Sequence, residues 1–326
     1  MKIAVTGASG HVGGNLVRAL LDEGHEVRVL VRNDTRALEG LEVERVQGHL
    51  LSRRAIFDLV RKADVVYHLA ARISLDGGRG GEVQEANVEG TRTVVEACLD
   101  GKTGRLVHFS SIHAICQHPR DVAVDESRPM ADEGPCHAYD RTKAAGERAV
   151  MDGVSRGLDA VVVNPTGILG PHDYKPSAMG QVLLDLFNGA FPALVEGGFN
   201  WVDVRDVVQG AMAAARQGRK GERYLLAGHY LTLREMAAIV QEVSGRRPPR
   251  FVSPFWLALV GAPLVTAWNR LRGTRPLYTT ESIKTLQWNK NIVCRKAEAE
   301  LGYTRRPALE TIRDTYLWFK QAGRIA

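Results

Sequence analysis

The 326-residue chain is poor in the features that staple, span or chelate. It has four cysteines, Cys98, Cys116, Cys136 and Cys294, scattered with no C-x-x-C pair and no Cys/His ligand spacing. A disulfide framework and a metal site are therefore not expected, and the thiols read as reduced, in keeping with a cytoplasmic protein. Long hydrophobic runs are missing too. Phe255–Trp268 is apolar but spans only 14 residues and contains Gly261 and Pro263, whereas a transmembrane helix needs about 20. Nor is a signal peptide expected, because a strand beginning at Lys2 runs straight into a glycine-rich loop. Repeats and low-complexity tracts are absent. What is there is an ordinary hydrophobic fraction of 44% and a charged fraction of 25%, in a chain long enough for one large domain or two intimate ones.

Acid is scarce in one part of the chain. Residues 1–200 hold 22 Lys/Arg against 27 Asp/Glu, a balance of −5, while residues 201–326 hold 21 against 10, or +11. The runs Arg246-Arg247 and Arg270-Leu271-Arg272 fit either a solvated face or contact with an anionic ligand or membrane surface. Trp256 and Trp268, with Arg270, Arg272 and Arg275, leave peripheral membrane contact through 255–275 open, beside an apolar substrate lid or a packed helix. No motif or aromatic-interleaved basic stripe supports nucleic-acid binding. Self-association into a homodimer stays open.

Along the first two-thirds, short β-branched runs alternate with amphipathic ones. Ile3–Thr6, Glu26–Val31, Val43–Gln47, Val65–Leu69, Leu106–Ser110 and Ala160–Asn164 read as buried strands, with helical patterns at 12–23, 52–62, 82–100 and 138–156. Repeated strand–helix–strand units predict an α/β fold, a doubly wound parallel sheet with ligands at the carboxyl ends of its strands. After Asn164 the alternation breaks into helix-like segments at 177–189, 204–217, 232–244 and 308–321. The division this suggests is a dinucleotide-binding domain over 1–165, with 204–228 returning to it. A smaller, mostly helical substrate lobe would be formed by 166–203 and 229–326.

The loop Gly7-Ala8-Ser9-Gly10-His11-Val12-Gly13 follows the first strand and opens a helix. Gly7 allows a sharp turn, Gly10 a close approach to a pyrophosphate, and Gly13 tight packing of helix on sheet, with the helix N-terminus attracting the phosphates. The spacing is G-x-x-G-x-x-G, one residue longer than the G-x-G-x-x-G form. A ribose-binding acid is expected about 20 residues further on, but the sequence there is Val29-Leu30-Val31-Arg32-Asn33. Arg32 offers a planar fork for the 2′-phosphate of NADP, with Arg36 assisting, so NADP is expected in preference to NAD.

Tyr139 and Lys143 are four apart in a helical segment and so share a face. An unperturbed tyrosine titrates near about 10, and an ammonium beside it favours the phenolate and lowers that value towards a working range. A hydroxyl at the end of the neighbouring strand would hold a substrate oxygen. Ser111, closing Val107-His108-Phe109-Ser110-Ser111, is placed for it, with Ser110 as the alternative because alternation turns only one of the pair to the cleft.

These residues carry a resemblance. Thr6-Gly7-Ala8-Ser9-Gly10-His11-Val12-Gly13, His68-Leu69-Ala70-Ala71, Asn87-Val88-Glu89-Gly90-Thr91, the Ser111/Tyr139/Lys143 set and Asn164-Pro165-Thr166-Gly167-Ile168-Leu169-Gly170-Pro171 together resemble an extended short-chain dehydrogenase/reductase over nearly the whole chain. Gly170–Ser177 and Gly197–Asp206 are most similar to the dihydroflavonol-4-reductase-like branch. The resemblance implies that Tyr139 is the general acid/base, that Lys143 tunes it and binds the nicotinamide ribose, and that Ser111 orients a carbonyl. It also places Leu69, Ala70, Ala71 and Asn87 at the cofactor and lays Pro165, Thr166, Gly167 and Ile168 against the nicotinamide. One departure stands out: the family's Gly-Asp-Leu reads Gly48-His49-Leu50 here, which leaves His49 in the aspartate's place beside the adenine.

An NADP-dependent reductase of ketones or aldehydes is the leading expectation; run backwards, it would oxidise a secondary alcohol as 3β-hydroxysteroid dehydrogenases do. A sugar or nucleotide-sugar epimerase would use the same triad. Such relatives carry an arginine that grips the diphosphate, and Phe199 stands at the aligned position. A scaffold that binds NADP without turnover commonly lacks the tyrosine or lysine, and both are present. The substrate is expected to meet residues 112–118, 172–182, 197–201 and parts of 251–280. Tyr174, Met179, Phe199 and Trp201 lean towards an apolar or aromatic carbonyl or alcohol, and His113 stands two beyond Ser111.

Overall fold

A strand, a glycine turn and a helix open the chain. β1 (Lys2–Thr6) leads into α1 (His11–Asp22), followed by β2 (Glu26–Val31), β3 (Glu44–Gln47), α2 (Arg53–Val60) and β4 (Val65–His68). Next come α3 (Glu82–Gln84), a π-helical turn at Glu85–Glu89, α4 (Gly90–Asp100), β5 (Arg105–Phe109), α5 (Ala138–Ser155) and β6 (Ala160–Pro165). The remainder contains β7 (Gly167–Leu169), α6 (Ala178–Asn188), β8 (Leu194–Val195), β9 (Gly198–Asp203), α7 (Val204–Gln217), β10 (Arg223–Leu226) and β11 (His229–Thr232). It ends with α8 (Leu233–Ser244), β12 (Val252–Ser253), α9 (Phe255–Leu271), α10 (Thr280–Thr285), α11 (Arg295–Leu301) and α12 (Ala308–Gln321). This computed structural model describes residues 1–72, 81–131, 138–271 and 279–325, with the side chains of Glu82, Ala138, Tyr139 and 267–271 outside the description.

Seven strands form one sheet in the order β10-β6-β5-β4-β1-β2-β3, and every neighbouring pair is parallel. A parallel sheet is covered on both faces, so its central strands are buried rather than alternating; all of β4 and β6 is buried, whereas the edge strand β3 is largely exposed. The pleat still sorts side chains by face. Val5, Val107 and Val163 join Leu16 of α1 and Val207 of α7 in one core. Their neighbours Ala4, Leu106 and Val162 join Ile56 of α2, Val94 of α4 and Val150 of α5 in the other. Strand order reverses direction between β1 and β4, which opens a crevice at their carboxyl ends, where α/β sheets bind ligands. β10 extends this sheet beside β6, and α7 packs against α1.

The second region is mostly helical, as expected, but not entirely. It contains a three-stranded sheet, β11-β9-β7, and the pair β12-β8, around a core that includes Leu183, Phe187, Trp201, Met236 and Phe319. β9 is buried along its whole length, so it shows no period-two pattern, and the strands around it are too short to show one. The segment 82–100 is likewise not one regular helix, since the π-helical turn interrupts it and buries both Asn87 and Val88. Cys98, Cys116 and Cys294 are free thiols, and Cys136 lies outside the described residues. Among the described residues no helix is long and apolar enough to cross a membrane.

Candidate active site

The glycine loop is shaped by contacts that leave no room for side chains. Gly7 has φ +74°, and a Cβ there would sit 2.7 Å from the backbone nitrogen of Ala70, at the end of β4. At Gly13 a Cβ would lie 2.7 Å from the Ala8 Cα and collide with the Gly7 carbonyl oxygen. The Gly10 amide donates to Gly7 O at 3.0 Å and closes the turn. α1 then starts with no side-chain cap and no acid in its first turn, so its N-terminal amides and positive dipole end are open to an anion. His11 and Asn15 tie this end to the Pro171 carbonyl at 3.0 and 3.1 Å. Ser9, Gly10, His11 and Val12 are half-buried or exposed at the crevice.

A hydrogen-bonded chain beneath the loop joins β1, β4 and α4. The Ala70 amide donates to Thr6 Oγ1 (3.2 Å), and Thr91 Oγ1 donates to the Asn87 carbonyl (2.8 Å). Thr91 has a single hydroxyl proton, so it accepts from His68 Nε2 at 3.0 Å. Thr6 Oγ1 therefore donates to His68 Nδ1 at 2.7 Å, and the ring is the neutral Nε2–H tautomer. Burial, with the Lys143 ammonium adding to it, pushes the His68 imidazolium down to about 3. His108, beside it on β5 with ring centroids 5.2 Å apart, is also held neutral, by burial and then by His68 and Lys143.

Asn87 brackets the loop after β4. Its Oδ1 accepts from the Arg72 amide at 2.7 Å, while its Nδ2 donates to the Arg72 carbonyl at 3.0 Å and to Thr142 Oγ1 at 3.2 Å. Its amide is thus spent within the protein, tying Arg72, just after Leu69, Ala70 and Ala71, to Thr142 of α5. Arg32 and His49 are exposed and Leu50 is half-buried. Arg36, expected to assist Arg32, instead grips Asp34 with Nε–Oδ1 at 3.0 Å and Nη2–Oδ2 at 2.7 Å. Those hydrogen bonds hold the Asp34 carboxyl down at about 2.

The chemical group gathers where β5 and β6 end. Tyr139 lies in the first turn of α5, its side chain outside the described residues. One turn on, Lys143 is buried and donates from Nζ to the Phe109 carbonyl at 3.1 Å. Burial lowers its pKa to about 8, partly offset by Glu147. Glu147 is itself fully buried, in contact with Arg223 at 3.1 Å and accepting from Asn164 Nδ2 at 3.0 Å. The same Asn164 nitrogen donates to the Ser111 carbonyl at 3.1 Å. Ser111 caps a single helical turn at Ile112–Ala114, its Oγ accepting from the His113 amide at 3.3 Å. Ser110 is the buried member of the pair, and its Oγ has no hydrogen-bond partner among the described residues.

His113 Nδ1 lies 2.8 Å from Asp140 Oδ1, next in sequence to Tyr139, so the Ser111 turn is pinned to the start of α5. Its ring also meets Trp288 edge-on at 4.4 Å. Trp288 in turn lies 6.1 Å from Phe199, which lies 5.7 Å from Trp201. Phe199 and Trp201 belong to the core of the second region, with Met179 packed against it. Phe199 also fills the space above Gly167, where a Cβ would lie 2.7 Å from its ring. Tyr174 is held elsewhere, its hydroxyl accepting from Arg18 at 3.0 Å and its ring 5.2 Å from Trp318. Pro165, Thr166 and Gly167 are buried and Ile168 half-buried; Thr166 Oγ1 donates to Asn200 at 2.8 Å. Sequence reading passed over Trp288, Asp140 and Glu147. The i+4 step from Lys143 to Glu147 was a signal for the last, while Trp288 comes from a distant segment with no local one.

Residues 3–227 match the family model described as the NAD dependent epimerase/dehydratase family. The chain belongs to that family. Among family relatives it is 37% identical to sterol demethylase protein B of Methylococcus capsulatus, covering all of both chains. It is 32% identical to 4-hydroxy-2-methyl-3-oxo-4-farnesyl-3,4-dihydroquinoline-1-oxide ketoreductase of Stigmatella aurantiaca, over 94% of this chain and 92% of that one. The solved structure of gox2253 superposes with a TM-score of 0.86 at 32% identity, covering 100% of this chain and 99% of that one. Membership of the epimerase/dehydratase family makes the chain an NAD(P)-dependent enzyme of the oxidoreductase/epimerase class. The loop fits such a cofactor: the side-chain-free cradle at Gly7 and Gly13 and the open start of α1 are what a pyrophosphate needs.

Proposed function

We propose that this enzyme reduces a ketone or aldehyde on a bulky, apolar substrate with NADP, using Ser111, Tyr139 and Lys143. The observation that carries the reading is Lys143, a buried ammonium one turn beyond Tyr139 and fixed to the end of β5. Bound along the Gly7–Gly13 loop, the cofactor supplies a hydride to the carbonyl carbon. The protein supplies the proton: Tyr139 Oη gives it to the carbonyl oxygen, and the product is an alcohol. Lys143 carries its charge below about pH 8 and stabilises the phenolate left behind. Ser111 Oγ donates to the substrate oxygen and holds it in line with the phenol. Its turn is kept in place by Asn164 and by the His113–Asp140 contact.

For the cofactor, the exposed Arg32 at the end of β2 supports NADP, since it can reach a 2′-phosphate while the nearest acid, Asp34, is occupied by Arg36. For the substrate, Phe199 supports an apolar molecule over a sugar nucleotide. It packs on Gly167 at the position where a diphosphate-gripping arginine would stand, and no bidentate contact is available from it. The two relatives' names, one for sterol demethylation and one for a farnesyl-bearing ring ketone, fit the same chemistry.

The test is NADPH oxidation by the purified enzyme with a panel of steroid and other apolar ketones, water-soluble aldehydes and UDP-sugars. Turnover of apolar ketones is expected, and Tyr139→Phe should abolish it while leaving NADPH binding nearly intact. Conversion of a UDP-sugar with no net change in cofactor would overturn the reductase reading, and a Tyr139→Phe enzyme at full rate would overturn the proton assignment.

A further inference from the structure

α9 carries no charged residue from Phe255 to Asn269, yet much of its apolar surface faces outwards. Trp256, Val260 and Leu264 are 66%, 68% and 75% exposed. They are spaced i, i+4, i+8, which places them in one row along the helix. Leu257 and Val265 flank the row, and Phe251, four residues ahead of the helix, is also exposed. A contiguous apolar strip of this kind is uncommon on a surface that meets only water.

Along the sequence, the segment that carries the strip has charge of one sign only. From Ser244 to Thr280 the sequence contains six arginines and no Asp or Glu. Arg246, Arg247 and Arg250 are exposed and lead directly into Phe251. An apolar face bordered by arginines matches the boundary between acyl chains and anionic headgroups. It suits a second copy of the chain less well, because two such faces would bring like charges together. We propose that the exposed face of α9 seats on an anionic lipid bilayer, with Arg247 and Arg250 at the phosphates.

A chain of contacts also links α9 to the candidate site. α10 packs against α9, and just beyond α10 the Leu286 carbonyl accepts from the Gly198 amide at 3.0 Å. Trp288, two residues on, meets His113 beside Ser111. Docking itself does not rest on the reductase reading and is measured without turnover.

The experiment is flotation of the purified full chain with vesicles of phosphatidylcholine alone, or of phosphatidylcholine with roughly one-third phosphatidylglycerol. Co-flotation with the anionic vesicles is expected, reduced by salt, together with a blue shift in Trp256 fluorescence that disappears in Trp256→Phe. Val260→Asp combined with Leu264→Glu should lower vesicle partitioning at least roughly tenfold, while the thermal midpoint is unchanged because both positions are exposed. Arg247→Glu with Arg250→Glu should remove the preference for phosphatidylglycerol, each arginine contributing roughly fivefold. No flotation with either vesicle, or undiminished flotation of Val260→Asp/Leu264→Glu, would overturn the proposal. So would light scattering that shows a dimer dissolved by the same two substitutions, which would assign the face to a second copy.

Discussion

Replacing Lys143 with methionine should abolish turnover and cost the fold little, because the wild-type charge is held at an energetic disadvantage. Burial lowers the ammonium from 10.5 to about 8, and at about 1.4 kcal/mol per pH unit that difference amounts to roughly 3 kcal/mol. Below pH 8 both folded and unfolded chains carry the proton, so the penalty is present in full. Between about 8 and 10.5 the folded protein has lost the proton and the unfolded chain still binds it, so stability rises with pH across that window. Methionine removes the penalty but leaves the Phe109 carbonyl without its donor, a loss of about 1–3 kcal/mol for a buried group. Glu147 keeps Arg223 and Asn164 as partners. Near neutral pH the two effects nearly cancel, and the variant should lie within about 2 kcal/mol of wild type. The discriminating measurement is urea unfolding, followed by tryptophan fluorescence, at several pH values from neutral to above 10.5. Wild type should gain roughly 3 kcal/mol relative to Lys143→Met over that range. An identical pH dependence in the two proteins would refute the reasoning, since the rise could not then come from Lys143.

Two further substitutions probe other parts of the site. Arg32→Ala should weaken NADPH binding by about 1–3 kcal/mol, the worth of a charge-assisted hydrogen bond, and leave NADH nearly unchanged; equal losses in titrations of the two would remove Arg32 from cofactor choice. Thr91→Val takes the acceptor from His68 Nε2 and should destabilise by about 1–3 kcal/mol. A thermal midpoint equal to wild type would break the assigned donor order from Ala70 to Asn87.

The parallel sheet was legible because β1, β4 and β6 each contain a continuous apolar run (Ile3–Val5, Val65–Tyr67, Ala160–Val163) set between amphipathic helices, and burial on both faces demands that composition. The placing of Tyr139 and Lys143 on one helix was legible because their relation is local, one helical turn. β9 was not, since a strand buried on both sides and interrupted by Gly198 and Asn200 has neither alternation nor a uniform apolar run. Relations made across the fold were equally silent. Trp288 reaches His113 from a distant segment, and Asn164 looked like part of a motif but proves to bridge Glu147 and Ser111. Arg36 shows the limit of composition alone: two residues from Asp34, it had a partner at hand that a search for phosphate ligands passes over.

The Asn87 bracket bears on the order in which ligands arrive. One amide side chain clasps both backbone groups of Arg72 and reaches Thr142, the residue before Lys143. On the proposed roles, the loop after β4 and the helix that carries Tyr139 and Lys143 are therefore one mechanical piece. A dinucleotide bound against that loop would also stiffen the seat of the proposed Tyr139–Lys143 pair, so a substrate arriving second would meet a finished site. Cofactor-first addition is the expected kinetic signature, read from product-inhibition patterns; random addition would show that the two halves move independently despite the shared clasp.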